Sequence, residues 1–287
     1  MIETPVLDTG EKVLAIEIAG NEVEQAWRTA RSLVSETGRW PLATAFWHGG
    51  GATFEERIRN EDLFSRFPFE QAPNPTDVSP RGLRSLADRA DGQALLAAKE
   101  ARRNAAVDLR RWAEMELRDT EARFGAAPTG GEVDSARVDG APIRSAFQLD
   151  RWLLQWERAR GFAPNPQTSR QPWFDPGPCA ILFLPCGSGW DALAYINWYG
   201  TSSRGAEHYV ALGRSWERRF GAELVAHYGT MLQCLVSRAP ANVEDAWALA
   251  REHDLVAPCT LALPGIKLRD YARALVGWER WFLHERP

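Results

Sequence analysis

The side chains here with the widest chemical reach are five histidines (His48, His208, His227, His253, His284) and four cysteines (Cys179, Cys186, Cys234, Cys259). A covalent mechanism needs a serine or cysteine within reach of a base. The sequence has no Gly-x-Ser-x-Gly elbow, and "GSG" at Gly187–Gly189 reads as a tight turn between strands. His253 and Cys259 are six residues apart across a predicted helix end and share no obligatory geometry. As metal ligands, His253 with Cys259 and His227 with Cys234 are suggestive pairs. Neither has the His-Glu-x-x-His or doubled Cys-x-x-Cys spacing that defines a zinc site. Gly49, Gly50 and Gly51 lack the Lys-Ser/Thr ending of a phosphate loop and read as a flexible turn. The carboxylate pairs Glu244/Asp245 and Glu252/Asp254 are adjacent or nearly so on predicted helices, where side chains point in different directions; they read as capping or solvation. The sequence therefore predicts no catalytic residue, no metal site and no cofactor.

One polar residue sits inside an apolar run. In "WDALAYINWYGTSS", Asn197 is flanked by Tyr195, Trp198 and Tyr199. Read as a strand, the segment places Tyr195, Asn197 and Tyr199 on one face. On the neighbouring predicted hairpin Glu223, Val225 and His227 share a face, as do Met231, Gln233 and Leu235. If these faces coincide, Tyr195, Asn197, Tyr199, His227 and Gln233 form one polar-aromatic surface able to hold a ligand or a partner protein. Otherwise Asn197 is exposed or satisfied at a sheet end.

The elements that would position these residues are legible in outline. Lys12–Ala19 suits a strand, and Asn21 caps a helix bearing Val23, Ala26, Trp27 and Ala30, ended by Gly38. "RWPLATAFW" reads as a strand that Pro41 pushes towards a sheet edge. From Ser79 to Phe124 the chain is helical, with Gly92 dividing it and a stripe of Leu95, Ala98, Ala105, Leu109, Trp112 and Met115. The pairs Glu114–Arg118 and Asp119–Arg123 read as a solvated face. "GAAPTGGEVDSARVDGAP" is a loop, followed by a helix from Ile143 to Arg160 stopped by Gly161. A proline-rich connector then marks the domain boundary, giving a strand/helix-rich region over 1–162 and a second domain over 172–287.

Beyond Pro178 the pattern sharpens. "CAILFLPC" is a central strand, and across it Cys179 and Cys186 would lie roughly 20 Å apart, beyond disulfide reach. "ALAYINWYG" reads as a second strand, Ala206–Phe220 as a helix ended by Gly221, and "AELVAHYGTMLQCLVSRA" as a hairpin turning at Gly229-Thr230. Two helices follow, one capped by Asn242 and one over "KLRDYARAL", and "WERWFLHE" is a terminal strand. Strands and helices mingle without strict alternation, so the expected class is α+β with a mainly antiparallel sheet packed with helices.

The chain has 287 residues, 45% hydrophobic and 25% charged, with net charge -4, which offers no broad electrostatic reason to bind nucleic acid. It has no long apolar run to cross a membrane, and its first residues lack the order of a secretory signal. With unpaired thiols, this reads as a cytosolic protein. Its thirteen tryptophans, among them Trp112, Trp152, Trp156, Trp216 and Trp247 on predicted helices, favour core packing over a stacking platform.

From about Pro178 to the end, the sequence resembles the bacterial domain-of-unknown-function family numbered 4253. The residues that carry the likeness are Trp216, Arg219, Phe220, Gly221, Ala222 and Glu223, then Ala246, Leu249, Ala250 and Glu252, then Leu268, Ala272 and Leu275. "TGRWPL" upstream is more weakly similar. The chain departs from the pattern at "APCTLALPG", where the family often has Cys-Pro-Asp and Gln-Gly, and at "WFLHERP", where it commonly ends Trp-Trp-Asp. The resemblance implies a fold and no mechanism. The functional expectation is a cytosolic, non-catalytic protein-interaction module of immunity or stress-associated type, its partner another protein. The alternative is a small-molecule hydrolase or transferase using Tyr195, Asn197, His227 and Glu223.

Overall fold

The computed structural model describes residues 1–6, 10–45, 53, 55, 79–165, 168, 173–174, 179–196, 198–201 and 205–286, with the backbone alone at Tyr199. The glycine turn at 49–51 and Asn197 lie outside the described residues. The chain forms two compact units, interleaved in sequence where a sequential division at the proline-rich connector is expected. The first comprises Met1–Gln93, Gln171–Ala239 and Trp278–Pro287; the second comprises Ala94–Arg170 and Pro240–Gly277.

The first unit is built on a sheet of seven strands in the order β1-β2-β6-β3-β7-β8-β9. These are β1 (Ile2–Pro5), β2 (Lys12–Ile18), β3 (Trp40–Ala45), β6 (Cys179–Leu184), β7 (Ala222–Tyr228), β8 (Met231–Val236) and β9 (Arg280–His284). All neighbours are antiparallel except β3 and β7, which pair in parallel at Ala43↔Ala226 and Thr44↔His227. The fold class is α+β, as the mingled patterns predict. The apolar run of β6 is explained by its place between β2 and β3, buried at five of its six residues.

Pro41 does not mark an edge, because β3 is central. The parallel ladder to β7 engages only at Ala43 and Thr44, so on that flank Pro41 needs no N–H. Opposite it in β6, the Phe183 carbonyl accepts from Arg39 Nη1 at 3.3 Å, and the Pro41 carbonyl accepts from Trp27 Nε1 at 2.9 Å.

The pairings assign the faces. Ile16, Ile181, Ala43, Ala226 and Gln233 lie on one face; Leu182, Leu42, Thr44, His227 and Leu232 lie on the other. Helix α1 (Val23–Ser32) packs along the first face, tied down by Arg31–Glu223 and Glu24–Arg280. It is preceded by a 3₁₀ turn, Gly20–Glu22, and continued by α2 (Val34–Thr37), which ends in left-handed Gly38 (φ 64°).

In the same unit, Ser79 caps α3 (Pro80–Ala87), and α8 (Ala206–Phe220) buries Tyr209, Leu212, Trp216 and Phe220. The segment read as a second strand, "ALAYINWYG", is instead a 3₁₀ helix at Trp190–Ala194, with a further 3₁₀ turn at Tyr199–Thr201. Two tertiary contacts hold Trp190–Ala194 helical. Trp190 donates to the Ala222 carbonyl (2.8 Å) and slides under α8, where a Cβ on Gly213 would lie 2.0 Å from its ring. Asp191 meets Arg214 at 2.8 Å. A short apolar run cannot distinguish strand from buried helix by periodicity alone; here a glycine on a distant helix decided.

The second unit is mainly helical: α4 (Gly92–Ala106) from Ala94 on, α5 (Leu109–Phe124), α6 (Gly130–Ser135), α7 (Ala146–Ala159), α9 (Val243–Val256), α10 (Cys259–Ala262) and α11 (Leu268–Leu275). Asp108 caps α5 by accepting from the Arg110 and Arg111 amides, a break that the continuous helical signal concealed. The predicted loop before α7 holds two elements of its own. Thr129 and Glu132 form a capping box on α6, and β4 (Arg137–Val138) pairs with β5 (Ala141–Pro142) through an Asp139-Gly140 turn with both φ positive.

The face of α5 also departs from its stripe. Met115 is 40% exposed, whereas Glu116 and Thr120 are buried. Of the pairs expected to be solvated, Glu114, Arg118 and Asp119 are exposed, while Arg123 is half-buried against Asp270.

Candidate functional site

Of the five residues expected to share a surface, the structure separates those it describes. Asn197 lies outside the described residues, and Tyr199 is placed by its backbone alone. His227 and Gln233 face opposite sides of the sheet. A register shift in β7 between Leu224 and Ala226 inverts the alternation, so that Glu223 shares Gln233's face while His227 pairs with Leu232 on the other. Gln233 is fully buried, its Nε2 donating to the Phe174 carbonyl at 3.2 Å. His227 is 4% exposed. Among the described residues, His227 and Gln233 therefore do not share the face that strand alternation suggested.

Tyr195 belongs to a different group. It follows the 3₁₀ helix, 1% exposed, and its hydroxyl donates to the Pro185 carbonyl (3.1 Å) and Glu11 (3.2 Å). Arg84 of α3 lies over its ring at 5.4 Å, and the Arg84–Glu11 separation is 3.9 Å. Burial pushes the phenol up from its ordinary value, so Tyr195 is a neutral hydrogen-bond donor rather than a base.

Three of the four thiols are equally quiet. Cys179, Cys186 and Cys234 are buried; burial pushes Cys179 up to about 11 and Cys186 up to about 12, and raises Cys234 as well. A thiol held protonated is a poor nucleophile. Among the described residues no group of three His, Cys, Asp or Glu side chains is placed to hold a metal ion.

The densest chemistry lies in the second unit, and the sequence reading missed it. Arg269 on α11 is 1% exposed and donates to four acceptors. Its Nε reaches Glu157 of α7 and its Nη1 reaches Glu116 of α5, both at 2.5 Å. Its Nη1 also reaches Asp150, and its Nη2 reaches Thr120, both at 3.1 Å. Lys267 adds contacts to Glu116 (2.7 Å) and Asp119 (2.6 Å), and Arg273 to Glu157 (2.9 Å). Asp270 takes both Nη atoms of Arg123, at 2.5 and 2.8 Å, and the Asn165 amide at 3.1 Å. The segment "KLRD" thus sets two cations and an anion against α5 and α7. The missed signal was the spacing of Glu116 and Thr120 on one turn of α5, with Arg123 following on the next.

Asp150 has the longest of the three carboxylate contacts to Arg269 and is the least compensated. Burial pushes its carboxyl up to about 7 from an ordinary value of 3.8, with Glu116 adding to the rise against the pull of Arg269. Between those two values the folded chain retains a proton that the unfolded chain releases. The stability contributed by protonated Asp150 is therefore complete at the acid end and declines as pH rises through 7. Asp150→Asn, which preserves the acceptor for Arg269, should remove this decline. Urea midpoints from pH 4.5 to 7.5 should show wild type losing at least about 1 kcal/mol relative to the variant. Parallel profiles would refute the assignment.

Two open concavities complete the inventory of interest. On the first unit a trough of roughly 430 Å³ lies beside α1, lined by Ile16, Ile18, Ile181 and Phe183 of the sheet and Ala26, Ala30 and Leu33. Ile16 and Leu33 are 38% and 43% exposed. On the second unit a polar cleft of roughly 340 Å³ lies among α4, α7, α9 and the small hairpin.

Comparison with known proteins bears on the C-terminal part. Residues 180–284 match the family described as Domain of unknown function (DUF4253), the family whose pattern those residues resemble. No curated protein and no solved structure matches the chain. Among the described residues no helix is long and apolar enough to cross a membrane. The matched motif has a physical reading. Trp216 is wedged edge-on to Trp190 and Trp281, Gly221 ends α8 at φ 60°, and Glu223 receives Arg31. In this chain these motif residues build the core and a surface ion pair.

Proposed function

We propose that the protein is a cytosolic, non-catalytic protein-interaction module, and that the trough beside α1 receives an apolar-faced segment of its partner. The observation that carries this reading is the trough itself. Branched and aromatic side chains from β2 and β6 stand open on a sheet face beside Leu33, where a monomer gains nothing by exposing them together. Its shallow, apolar form suits a helix or strand better than a small polar substrate. Glu22 at its rim favours a basic residue at that end of the partner segment. The raised thiols, the buried Tyr195 and the separation of His227 from Gln233 support binding over catalysis.

The test uses the full chain and Ile16→Glu/Leu33→Glu, a pair exposed enough to keep the melting midpoint. Wild type should capture a stoichiometric partner from native lysate that the double variant loses. Retention of that partner by the variant overturns the proposal, as does repeated failure to capture one across growth conditions. Self-association abolished by the variant overturns it in favour of a homotypic interface.

A further inference from the structure

The polar cleft of the second unit has a composition that the interaction reading does not use. Three arginines line it: Arg144, just before the Ser145 cap of α7, Arg151 in the second turn of that helix, and Arg251 on α9. Each is positioned differently. Arg251 is paired with Glu100 at 2.5 Å, with its guanidinium carbon 5.7 Å from the Phe147 ring centre. Arg151 donates to Asp139 of the hairpin turn at 2.6 Å, while its Nε is buried without a hydrogen-bond partner among the described residues. Arg144 is exposed and makes no ion pair among the described residues.

The donor count exceeds the acceptor count. A guanidinium carries five N–H donors in a planar fork, and Glu100 and Asp139 occupy only part of two of them. Those two carboxylates leave one net positive charge among the lining side chains, and outside the lining the exposed Glu244 lies 3.6 Å from Arg151 Nη2. Ser145 caps α7 by accepting from the Gln148 amide, and the positive end of that fourteen-residue helix adds to the field. A cleft rich in fixed forks and poor in acceptors is complementary to a ligand with several anionic oxygens.

We propose that this cleft binds a small doubly charged oxyanion, a phosphate monoester or a dicarboxylate, with Arg144 and Arg251 gripping it and Arg151 adding its positive charge from the cleft wall. Arg144 supplies a charge that no carboxylate among the described residues neutralises, so it carries the largest share of the affinity. Glu100 competes with the ligand for Arg251.

Calorimetric titration of the full chain with phenyl phosphate and with malonate, at constant ionic strength, tests this. At least one probe should bind saturably at one site per chain, and which one binds decides between ester and dicarboxylate. Arg144→Gln should weaken binding about tenfold with the melting midpoint unchanged, since its side chain has no ion pair to lose. Glu100→Gln should tighten binding several-fold. Lack of saturation by either probe at millimolar concentration overturns the proposal, as does an affinity indifferent to Arg144→Gln.

Discussion

Replacing Arg269 with methionine should lower the stability of the protein by about 3–5 kcal/mol at neutral pH, because it leaves Glu116, Asp150 and Glu157 buried together without their common partner. The methionine fills much of the volume, so the loss reports charge rather than a cavity. The deficit should shrink in acid, where Asp150, its carboxyl already pushed up by burial, is protonated and one of the three buried charges is removed. Arg269→Lys retains the charge but supplies a point where the site is built for a fork. It should recover only part of the difference, since Nε, Nη1 and Nη2 each serve a different acceptor. Urea unfolding at pH 5 and pH 7.5 measures all of this. A loss below about 1 kcal/mol at pH 7.5, or a deficit that does not change with pH, would show that the cluster is not electrostatically coupled.

Truncating Trp216 to alanine should cost a similar amount, about 3–5 kcal/mol, through lost burial and the cavity left behind. The ring is 2% exposed and stands edge-on to Trp190 at 5.4 Å and to Trp281 at 6.2 Å, joining α8 to the 3₁₀ helix and to β9. Trp216→Phe keeps an aromatic edge and should lose less than half as much. Chemical denaturation followed by far-ultraviolet circular dichroism gives both values. If Trp216→Ala loses less than about 1 kcal/mol, the tryptophan layer is not what secures α8 to the sheet.

These two residues show how unevenly the molecule can be read from its sequence. Trp216 falls on a helical stripe with Leu212 and Phe220, beside a glycine that ends the helix, so its burial follows from spacing alone. Arg269 sits in a short helix whose apolar stripe, Leu268, Ala272 and Leu275, is equally plain, yet nothing local says that the charged residue beside Leu268 is also buried. Its acceptors come from α5 and α7, more than a hundred residues away. The same limit hid the candidate site. Strand alternation predicts which residues share a face, but the register shift in β7 placed His227 away from Glu223, and such a shift leaves no mark in "AELVAHY"; the separation of His227 from Gln233 follows from the turn at Gly229-Thr230, which pairs His227 with Leu232 and Ala226 with Gln233. The arginine cleft was invisible for a related reason, since Arg144 and Arg251 are neighbours only after α7 and α9 have packed.

What the sequence determined by itself is the local inventory: the caps at Ser79 and Asn242, the left-handed stops at Gly38 and Gly221, the hairpin at Gly229, the apolar run of β6 and the α+β class. Each rests on backbone sterics, hydrogen bonding or hydrophobic period within a dozen residues. Tertiary structure alone decided that β3 is central despite Pro41, that Trp190–Ala194 is helical, that Glu116 and Arg269 are buried while Met115 is not, and that three arginines meet in one cleft. Those outcomes depend on which distant groups supply a missing donor, occupy a space or balance a charge, and that balance exists only once the chain has closed.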